Sequence, residues 1–279
     1  MSVKLYETHS HTPLCKHAHG LPLEYAEQAY SKGLAGLIVT CHNPMPDGFS
    51  APVRMLVEEF DQYLQIIDDA RQSMQERLEV HTGLEADFYP GYESWLEQQL
   101  SSFDFAYVLG SVHPQIPEYR KRYWTGDTLD YQRTYFRLLA DAAETQLFDC
   151  LSHPDLVKNE TPESWNEQQI LPDICRALDR IAQTGVAMEI NTSGANKAIR
   201  QINPFPAMLK EMCVRDIPVV IGSDAHVPGR VADGFLEALD LAEEAGYAEI
   251  TYVLHHECHL VSIRDARQVF QKASGQVFS

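Results

Sequence analysis

The histidines of this sequence are spaced in a way that suits metal chemistry. His9-Ser-His11 and Asp224-Ala-His226 each place two potential ligands two residues apart, next to an apolar, β-branched run. Side chains at positions i and i+2 of a strand leave the same face, so each pair can hold one ion. Imidazole and carboxylate groups are common ligands of zinc, iron and manganese. The spacing therefore predicts a transition-metal site.

Further candidate ligands occupy the same position relative to their own apolar runs. A single histidine at a strand end is more often an ordinary polar residue, but six such ends that all carry His, Asp or Glu indicate a shared site. The set exceeds what one tetrahedral or octahedral ion can bind, which implies more than one metal. The predicted ligands are His9, His11, His17, His42, Glu85, His113, His153, Asp224 and His226.

The remaining histidines lack this context. One of them begins an apolar run and should point to the opposite rim of a sheet, and three belong to a polar segment near the C-terminus. We expect the following residues to lie outside the metal site: His19, His81, His255, His256 and His259.

Strand-like and helix-like segments alternate along the whole chain. The β-branched runs predict strands over 3–8, 36–41, 78–84, 105–111, 148–152, 186–191 and 217–222, with a last strand over 250–254. Helical periodicity predicts helices over 23–32, 53–77, 92–100, 131–145, 167–184, 206–214 and 231–245.

This alternation predicts an α/β fold. Continuous β-branched strands between helices are typical of a parallel sheet that is covered by helices. Seven or eight such units favour a closed, distorted (β/α) barrel of the TIM type, formed as a single domain over residues 1–279. The carboxyl ends of barrel strands meet at one face, where active sites lie, so the predicted ligands should converge there.

Composition excludes several classes of protein. The formal net charge is −18, with 40 acidic and 22 basic residues, and such a surface disfavours nucleic-acid binding. No apolar run is long enough to span a membrane, and strand-like sequence from the start leaves no room for a signal peptide. The six cysteines form no C-x-x-C pair, which argues against a disulfide framework or zinc ribbon and favours a reduced, cytoplasmic protein.

Several segments resemble the polymerase-and-histidinol-phosphatase (PHP) superfamily, and most of all its bacterial monofunctional histidinol-phosphate phosphatases. The resemblance extends from residue 5 to about residue 230, in the order that the family shows. The matching segments are His9-Ser-His-Thr-Pro-Leu-Cys-Lys-His17, Cys41-His42-Asn-Pro-Met-Pro46, Gly83-Leu-Glu-Ala-Asp87, Gly110-Ser-Val-His113, Ser152-His-Pro-Asp-Leu156, Asn191-Thr-Ser-Gly194 and Gly222-Ser-Asp-Ala-His226.

The resemblance implies a barrel with three divalent transition-metal ions, drawn from zinc, iron and manganese. It implies that one ion is bound by His9, His11, Glu85 and Asp224. A second ion would share Glu85 and add His113 and His153, and a third would take His17, His42 and His226.

The resemblance also implies hydrolysis of a phosphate monoester, L-histidinol phosphate, within histidine biosynthesis. Metal ions can activate water and hold phosphate oxygens, and Glu85, Asp224 and His226 are the expected catalytic groups. Basic candidates for the phosphate are Lys158, Lys197, Arg200 and Arg230, and acidic candidates for the substrate's ammonium are Asp87 and Asp155.

Two positions depart from the family pattern. Relatives commonly carry Asp where this chain has Glu7 and Cys41. Both are candidates for groups that orient metal-binding imidazoles. The side chain of Cys41 should leave the opposite face from that of His42, so we expect a buried core thiol.

Three other readings remain open at this stage. An amidohydrolase-type barrel also begins with His-x-His, but the additional ligands His17, His42 and Glu85 and the lack of an obvious strand-four lysine count against it. A non-catalytic metal-binding module is disfavoured by the complete ligand set. A PHP phosphoesterase with another substrate, nucleotides included, agrees equally well with the motifs.

Overall fold

Seven parallel strands form a nearly closed barrel in the computed structural model, which describes residues 3–276. The strands follow one another around the sheet in chain order, and each pairs in parallel with the next. They are β1 (Tyr6–Glu7), β2 (Gly36–Val39), β3 (Glu79–Asp87), β4 (Tyr107–Ser111), β5 (Cys150–Leu151), β6 (Ala187–Asn191) and β7 (Val219–Gly222).

Helices cover the outside of this barrel and bury a large apolar core against the strands. Each helix presents an apolar stripe, as Ile170, Ile174 and Ile181 do on the sixth one. They are α1 (Pro22–Ser31), α2 (Phe60–Ser73), α3 (Glu93–Ser101), α4 (Pro117–Tyr123), α5 (Thr128–Glu144), α6 (Glu167–Ala182), α7 (Pro206–Val214), α8 (Phe235–Ala245) and α9 (Ile263–Gln276). No helix within residues 3–276 is long and apolar enough to cross a membrane.

The barrel closes between the segments that follow β1 and β7. Ser10 and Ala225 form a parallel bridge, and the backbone N–H groups of His11 and Ala225 donate hydrogen bonds to Ala225 O and His9 O, both at 3.0 Å. The closing contact is thus made by the two His/Asp motifs themselves. This brings the first and the last predicted ligands of the chain together.

A C-terminal hairpin covers the opposite end of the barrel. Strands β8 (Glu249–Leu254) and β9 (Glu257–Ser262) pair antiparallel with each other, and the N–H of His255 donates to Ala106 O at 2.7 Å. Val253 belongs to an apolar cluster with residues of the barrel strands, among them Tyr6 and Val220. The hairpin therefore closes the end that lies away from the metal ligands.

The structure confirms the barrel and corrects several elements. The segment 250–254 is a strand, but it belongs to the hairpin instead of forming an eighth barrel strand. The helix predicted over 53–77 is shorter, because residues 51–53 and 57–59 form 3-10 turns before α2 begins at Phe60. Helices α4 and α9 and strand β9 were not predicted, because short or highly polar segments carry little periodicity.

Candidate metal centre

The predicted ligands come together at the carboxyl ends of the strands. Glu85 lies near the end of β3, His17 lies in the longer loop after β1, and each of the others lies in the segment that follows a barrel strand. Most are buried, and only His17 of this set is exposed. Seven of the nine line a cavity of about 280 Å³, named here the metal cavity, and His9 and His11 lie behind its wall. The wall is His17, His42, Glu85, His113, Gln115, His153, Leu156, Lys197, Asp224 and His226.

Glu85 lies between two groups of imidazoles. Its Oε1 is 3.1 Å from Nε2 of His153 and 3.4 Å from Nε2 of His113. Its Oε2 is 2.8 Å from Nδ1 of His42 and 3.6 Å from Nε2 of His9. The two oxygens of one buried carboxylate therefore face different histidines, an arrangement that suits a bridging metal ligand.

Asp224 faces the His-x-His motif. Its Oδ1 is 3.0 Å from Nε2 of His11 and 3.6 Å from Nε2 of His9. The three ligand atoms of these residues lie close enough to hold one ion. Asp224 and His153 also have positive φ angles of 50° and 26°, which non-glycine residues rarely adopt. Strain at both positions indicates that the fold holds them in place for their side-chain directions.

A third group of histidines lies nearer the surface. Nε2 of His17 is 2.9 Å from Nε2 of His226, and the rings of His17 and His42 stack with centroids 5.4 Å apart. The backbone carbonyls of Cys15 and Asp224 lie 2.7 Å from Nδ1 of His17 and 3.0 Å from Nδ1 of His226. Each carbonyl accepts from the Nδ1–H, which leaves the Nε2 lone pair free to bind metal.

Acidic neighbours raise the pKa of the deeper imidazoles. Burial lowers the pKa of His11, but the hydrogen bond with Asp224 and the charge of Glu85 outweigh it and raise that pKa to about 9. Burial also lowers the pKa of His113, and the charges of Asp87 and Glu85 raise it to about 10. These two imidazoles therefore bind protons at neutral pH when no metal is bound.

The outer histidines behave in the opposite way. Burial lowers the pKa of His42 to about 4, even though the charge of Glu85 opposes the shift. Burial and the nearby charge of His11 lower the pKa of His226 to about 3. Burial raises the pKa of Glu85, but the charges of His42 and His113 lower it more, so this pKa is well below its usual value.

Several ligand atoms of the site are arranged for binding metal ions and not for hydrogen bonds with one another. Among the described residues, Nε2 of His9, Nδ1 of His42 and Oε2 of Glu85 are buried and have no hydrogen-bond partner. The last two atoms are 2.8 Å apart but are not aligned for a hydrogen bond. Unpartnered buried polar atoms are costly, and metal ions bound by these residues would satisfy all three atoms.

Two carboxylates form hydrogen bonds with the outward-facing nitrogens of ligand imidazoles, a role that the sequence did not predict for either of them. Glu189 on β6 lies with Oε1 2.6 Å from Nδ1 of His9, and its Oε2 accepts from the backbone N–H of His153 at 2.8 Å. Asp87 at the end of β3 bonds Nδ1 of His113 and accepts from Ser111 Oγ at 2.8 Å. A charged residue inside the apolar run 186–191 is the sequence signal that points to Glu189.

Gly222 makes room for this arrangement. A Cβ atom at that position would lie 2.7 Å from Cβ of His9 and would collide with the carboxylate of Glu189. Contacts this close are not tolerated in proteins, so the closing strand β7 needs glycine where it meets the ligand and its carboxylate partner.

Cys15 is a further residue that the sequence did not single out. Its thiol lies within 4.8 Å of ligand atoms of His11 and His226, and hydrogen bonds with Cys41 and then with His11 and His17 lower its pKa. Cys41 is buried, as expected, and its sulfur accepts from Thr12 Oγ1 at 3.3 Å. It therefore lies behind the ligand loop, facing Thr12.

Glu7 contributes to barrel closure. Its Oε1 accepts from the N–H groups of His9 and Ser223 at 3.1 and 3.0 Å, and its Oε2 accepts from Ser223 Oγ and the N–H of Ala232 at 2.5 and 2.7 Å. Glu7 was considered as a group that orients an imidazole. The structure instead connects it to the backbone on both sides of the closing contact.

The four basic candidates occupy different places. Lys197 lines the metal cavity, with Nζ 3.9 Å from Oδ2 of Asp224. Arg200 is exposed, and Arg230 forms an ion pair with Asp233 at 2.7 Å. Neither arginine is part of the cavity wall given above.

Lys158 requires a correction. Its side chain is fully buried, and Nζ donates to Asp155 Oδ2 at 2.9 Å and to Ile202 O at 3.3 Å. An ammonium group with these internal partners is oriented away from an incoming phosphate. Lys158 points inward because it belongs to a buried 3-10 turn over residues 156–159, and the sequence pattern did not predict this turn.

The two acidic candidates for the substrate's ammonium are also engaged internally. Asp87 forms an ion pair with Arg54 in addition to its contacts with Ser111 and His113. Asp155 pairs with Lys158, and neither carboxylate lines the metal cavity. Of the histidines predicted to lie outside the site, His81 and His255 contact each other with ring centroids 5.7 Å apart beside the covering hairpin.

Comparison with known proteins identifies the family of this chain. A model of the PHP domain matches residues 7–193, which include the ligands from His9 to His153 and also Glu189. The chain belongs to the PHP family. Membership decides against the amidohydrolase-type reading of the His-x-His motif.

Relatives of this PHP chain are named histidinol-phosphatases. It is 39% identical over 255 residues to a probable histidinol-phosphatase from Deinococcus radiodurans, a match that covers 89% of this chain and 96% of the relative. It is 27% identical to the histidinol-phosphatase of Bacillus subtilis, over 82% of this chain and 97% of that one.

A solved structure has the same fold. The histidinol phosphate phosphatase of Lactococcus lactis superposes with a TM-score of 0.78 at 20% identity, over 92% of this PHP chain and 100% of that chain. That protein was crystallised as a complex with zinc, L-histidinol and phosphate.

Proposed function

We propose that this PHP chain is a metal-dependent phosphomonoesterase that hydrolyses L-histidinol phosphate to L-histidinol and phosphate. The observation that carries the proposal is the position of Glu85, a buried residue whose two carboxylate oxygens face separate groups of histidines at the metal cavity. The names of the curated relatives from Deinococcus radiodurans and Bacillus subtilis support the reaction and the substrate.

We propose three divalent transition-metal ions, drawn from zinc, iron and manganese. The first ion would be bound by His9, His11, Glu85 and Asp224, whose facing atoms are 3.0–3.7 Å apart. The second would share Glu85 with His113 and His153, and the third would be held by His17, His42 and His226. Zinc in the Lactococcus lactis protein supports this class of ion. When bound, such ions lower the pKa of water and neutralise phosphate oxygens.

The chain's own residues then have distinct tasks. Glu85 and Asp224 hold negative charge between the imidazoles, which keeps the ligand groups together before phosphate arrives. Lys197 lies in the wall of the metal cavity, where its ammonium group can bind a phosphate oxygen. Glu189 and Asp87 hold His9 and His113 in the tautomer that leaves Nε2 facing the cavity. We further propose that residues 1–279 act as a single domain.

A substrate comparison tests the proposed reaction. Protein that has been reconstituted with zinc or manganese is assayed with L-histidinol phosphate, p-nitrophenyl phosphate and a panel of phosphorylated metabolites that includes nucleotides. We expect the highest kcat/KM for L-histidinol phosphate. If p-nitrophenyl phosphate is hydrolysed equally well, the substrate assignment fails, and a better metabolite in the panel would replace it.

Elemental analysis tests the number of ions. We expect two to three transition-metal ions per chain after reconstitution and dialysis, because seven of the nine predicted ligands line one cavity and His9 and His11 contact two of those seven, Glu85 and Asp224. A Glu163→Gln variant, altered at an exposed surface carboxylate, serves as the control and should retain the same content. At most one ion per chain after reconstitution contradicts the trinuclear scheme.

A further inference from the structure

A second cavity opens beside the metal cavity and shares part of its wall. It has a volume of about 380 Å³, which is within the range of small-molecule sites. We name it the loop cavity, and its wall is His17, His42, Ser50, Pro52, Val53, Arg54, His113, Gln115, Ile116, Pro117 and Glu118. Three of these residues are predicted metal ligands that also line the metal cavity, so the two cavities adjoin at these side chains.

Two loops at the carboxyl ends of strands build the part of this wall that is not shared. One follows β2 and contains the 3-10 turn over residues 51–53, and the other leads from β4 into α4. Four of the wall residues are apolar, namely Pro52, Val53, Ile116 and Pro117. These groups suit the flat or hydrocarbon portion of a ligand.

Glu118 and Ser50 supply polar groups to the same wall. Oε1 of Glu118 accepts a hydrogen bond from the backbone N–H of Ser50 at 3.0 Å. Within residues 3–276, neither Oε2 of Glu118 nor Oγ of Ser50 has a hydrogen-bond partner, although both atoms are buried. The Ser50 residue is only 3% exposed. Buried polar atoms without partners are uncommon and costly in folded proteins, and a ligand with N–H donors would satisfy both.

The charge of Glu118 is also uncompensated. Arg54 lines the same cavity, but its guanidinium pairs with Asp87 and donates to Asn43 O at 2.9 Å. Arg120 on α4 pairs with Glu160 instead. In the described part of the chain no cation forms an ion pair with Glu118, so the loop cavity has a negative end, whereas Lys197 and the proposed ions make the metal cavity positive.

We propose that Glu118, with Ser50 beside it, binds the cationic group of the substrate and makes the site selective for phosphate monoesters that carry an amine. This rests on the proposed phosphatase function. The phosphate lies at the metal cavity, the carbon framework packs on the apolar groups of the loop cavity, and the ammonium donates to Oε2 of Glu118. A charge-assisted hydrogen bond of this kind discriminates strongly against neutral esters.

Substitution of Glu118 by glutamine tests the proposal. The amide oxygen of Glu118→Gln can still accept from Ser50, so the loop keeps its anchor while the charge is removed. We expect kcat/KM for L-histidinol phosphate to fall ten- to hundredfold relative to kcat/KM for p-nitrophenyl phosphate, mainly through KM. L-Histidinol, the amine-bearing product, should inhibit the variant more weakly by a similar factor. Metal content, measured by elemental analysis, should match the wild type.

Further variants exclude a merely structural effect. Ser50→Ala removes the neighbouring hydroxyl without touching the carboxylate, and should lower the same ratio by severalfold. Glu97→Gln removes an exposed carboxylate from α3 and should leave the ratio unchanged. If Glu118→Gln changes both substrates equally, or neither, the proposal is overturned.

A second substrate pair separates this proposal from the proposed function. If the wild type does not prefer L-histidinol phosphate, the substrate assignment fails on its own. The recognition of amines is then measured with 2-aminoethyl phosphate against glycerol phosphate. A wild-type preference for the amine that Glu118→Gln abolishes supports the role of Glu118, and a preference that survives in the variant refutes it.

Discussion

Nδ1 of His9 lies 2.6 Å from Oε1 of Glu189, and both side chains are completely buried. The charge of Glu189 is the largest of the effects that overcome burial and raise the pKa of His9 well above its usual value. Because Oε2 of the same carboxylate accepts from the backbone N–H of His153, Glu189 positions two predicted ligands of different ions. A carboxylate in this position fixes the ring and makes the imidazole a stronger ligand.

We expect Glu189→Gln to weaken metal binding by about 10- to 100-fold, the usual effect of losing a carboxylate behind a ligand. Chelator competition with zinc or manganese measures the affinity. Glu144→Gln, which alters an ion-paired carboxylate at the surface, is the control. Unchanged affinity in Glu189→Gln would show that the contact with His9 is only structural.

Removal of the bridging carboxylate should be more damaging than removal of any single histidine. We expect Glu85→Ala to lower kcat by about 10³-fold, or ~4 kcal/mol of transition-state stabilisation, because two ion sites lose a ligand together. His81→Ala is the matched control, since His81 lies at the opposite end of β3 beside Tyr6. Activity assays and metal analysis of both variants test this expectation. If His81→Ala lost activity while Glu85→Ala kept near-normal activity, the site would lie at the opposite face of the barrel.

Metal affinity should fall as the pH falls. The pKa of His11 is raised to about 9 and that of His113 to about 10 in the metal-free protein, so both lose a proton when an ion binds at pH 7. The apparent association constant should therefore rise about tenfold per pH unit for each displaced proton between pH 6 and 8. His42 and His226, with pKa values of about 4 and 3, are already neutral and release none. Chelator competition at several pH values measures the slope, and a flat profile would contradict these shifts.

Lys197 should act on phosphate and Arg200 should not. Lys197→Ala should raise KM for a phosphorylated substrate by about tenfold, which corresponds to ~1.4 kcal/mol, with metal content unchanged. Arg200→Ala, three residues away at an exposed position, serves as the matched control. Steady-state kinetics of both variants test the assignment. Equal effects on KM would show that overall charge, and not contact with the phosphate, is responsible.

Glu7 should matter more for stability than for catalysis. Burial raises the pKa of Glu7, whereas the donors from Ser223, Ala232 and His9 act against this shift, and the three backbone N–H groups among them require an acceptor. In Glu7→Gln an amide N–H₂ would face backbone N–H groups, so we expect a loss of about 2–3 kcal/mol in the free energy of unfolding. Denaturant unfolding measures it, with the exposed Glu58→Gln as control. A loss below about 0.5 kcal/mol would mean that barrel closure does not depend on this carboxylate.

The sequence by itself determined the strands and the ligand candidates. Alternation of apolar runs with helices is a local pattern, and parallel topology then places every strand end on one face. That is why His9 and Asp224, which are far apart in the chain, could be expected in one cavity, and the structure places Nε2 of His9 3.6 Å from Oδ1 of Asp224. The family motifs extended the same information to the order of the ligands.

Only the tertiary structure decided which polar residues face the cavities. Lys158 follows a family motif but is buried against Asp155, and Glu118 lies on the helix α4 that carried no clear periodicity. The direction of a side chain in a loop depends on the elements packed around it, and those contacts join residues such as Ser50 and Glu118 that are 68 positions apart. The hairpin β8–β9 shows the same limit, because its strand-like sequence does not tell whether it joins the barrel or covers its end.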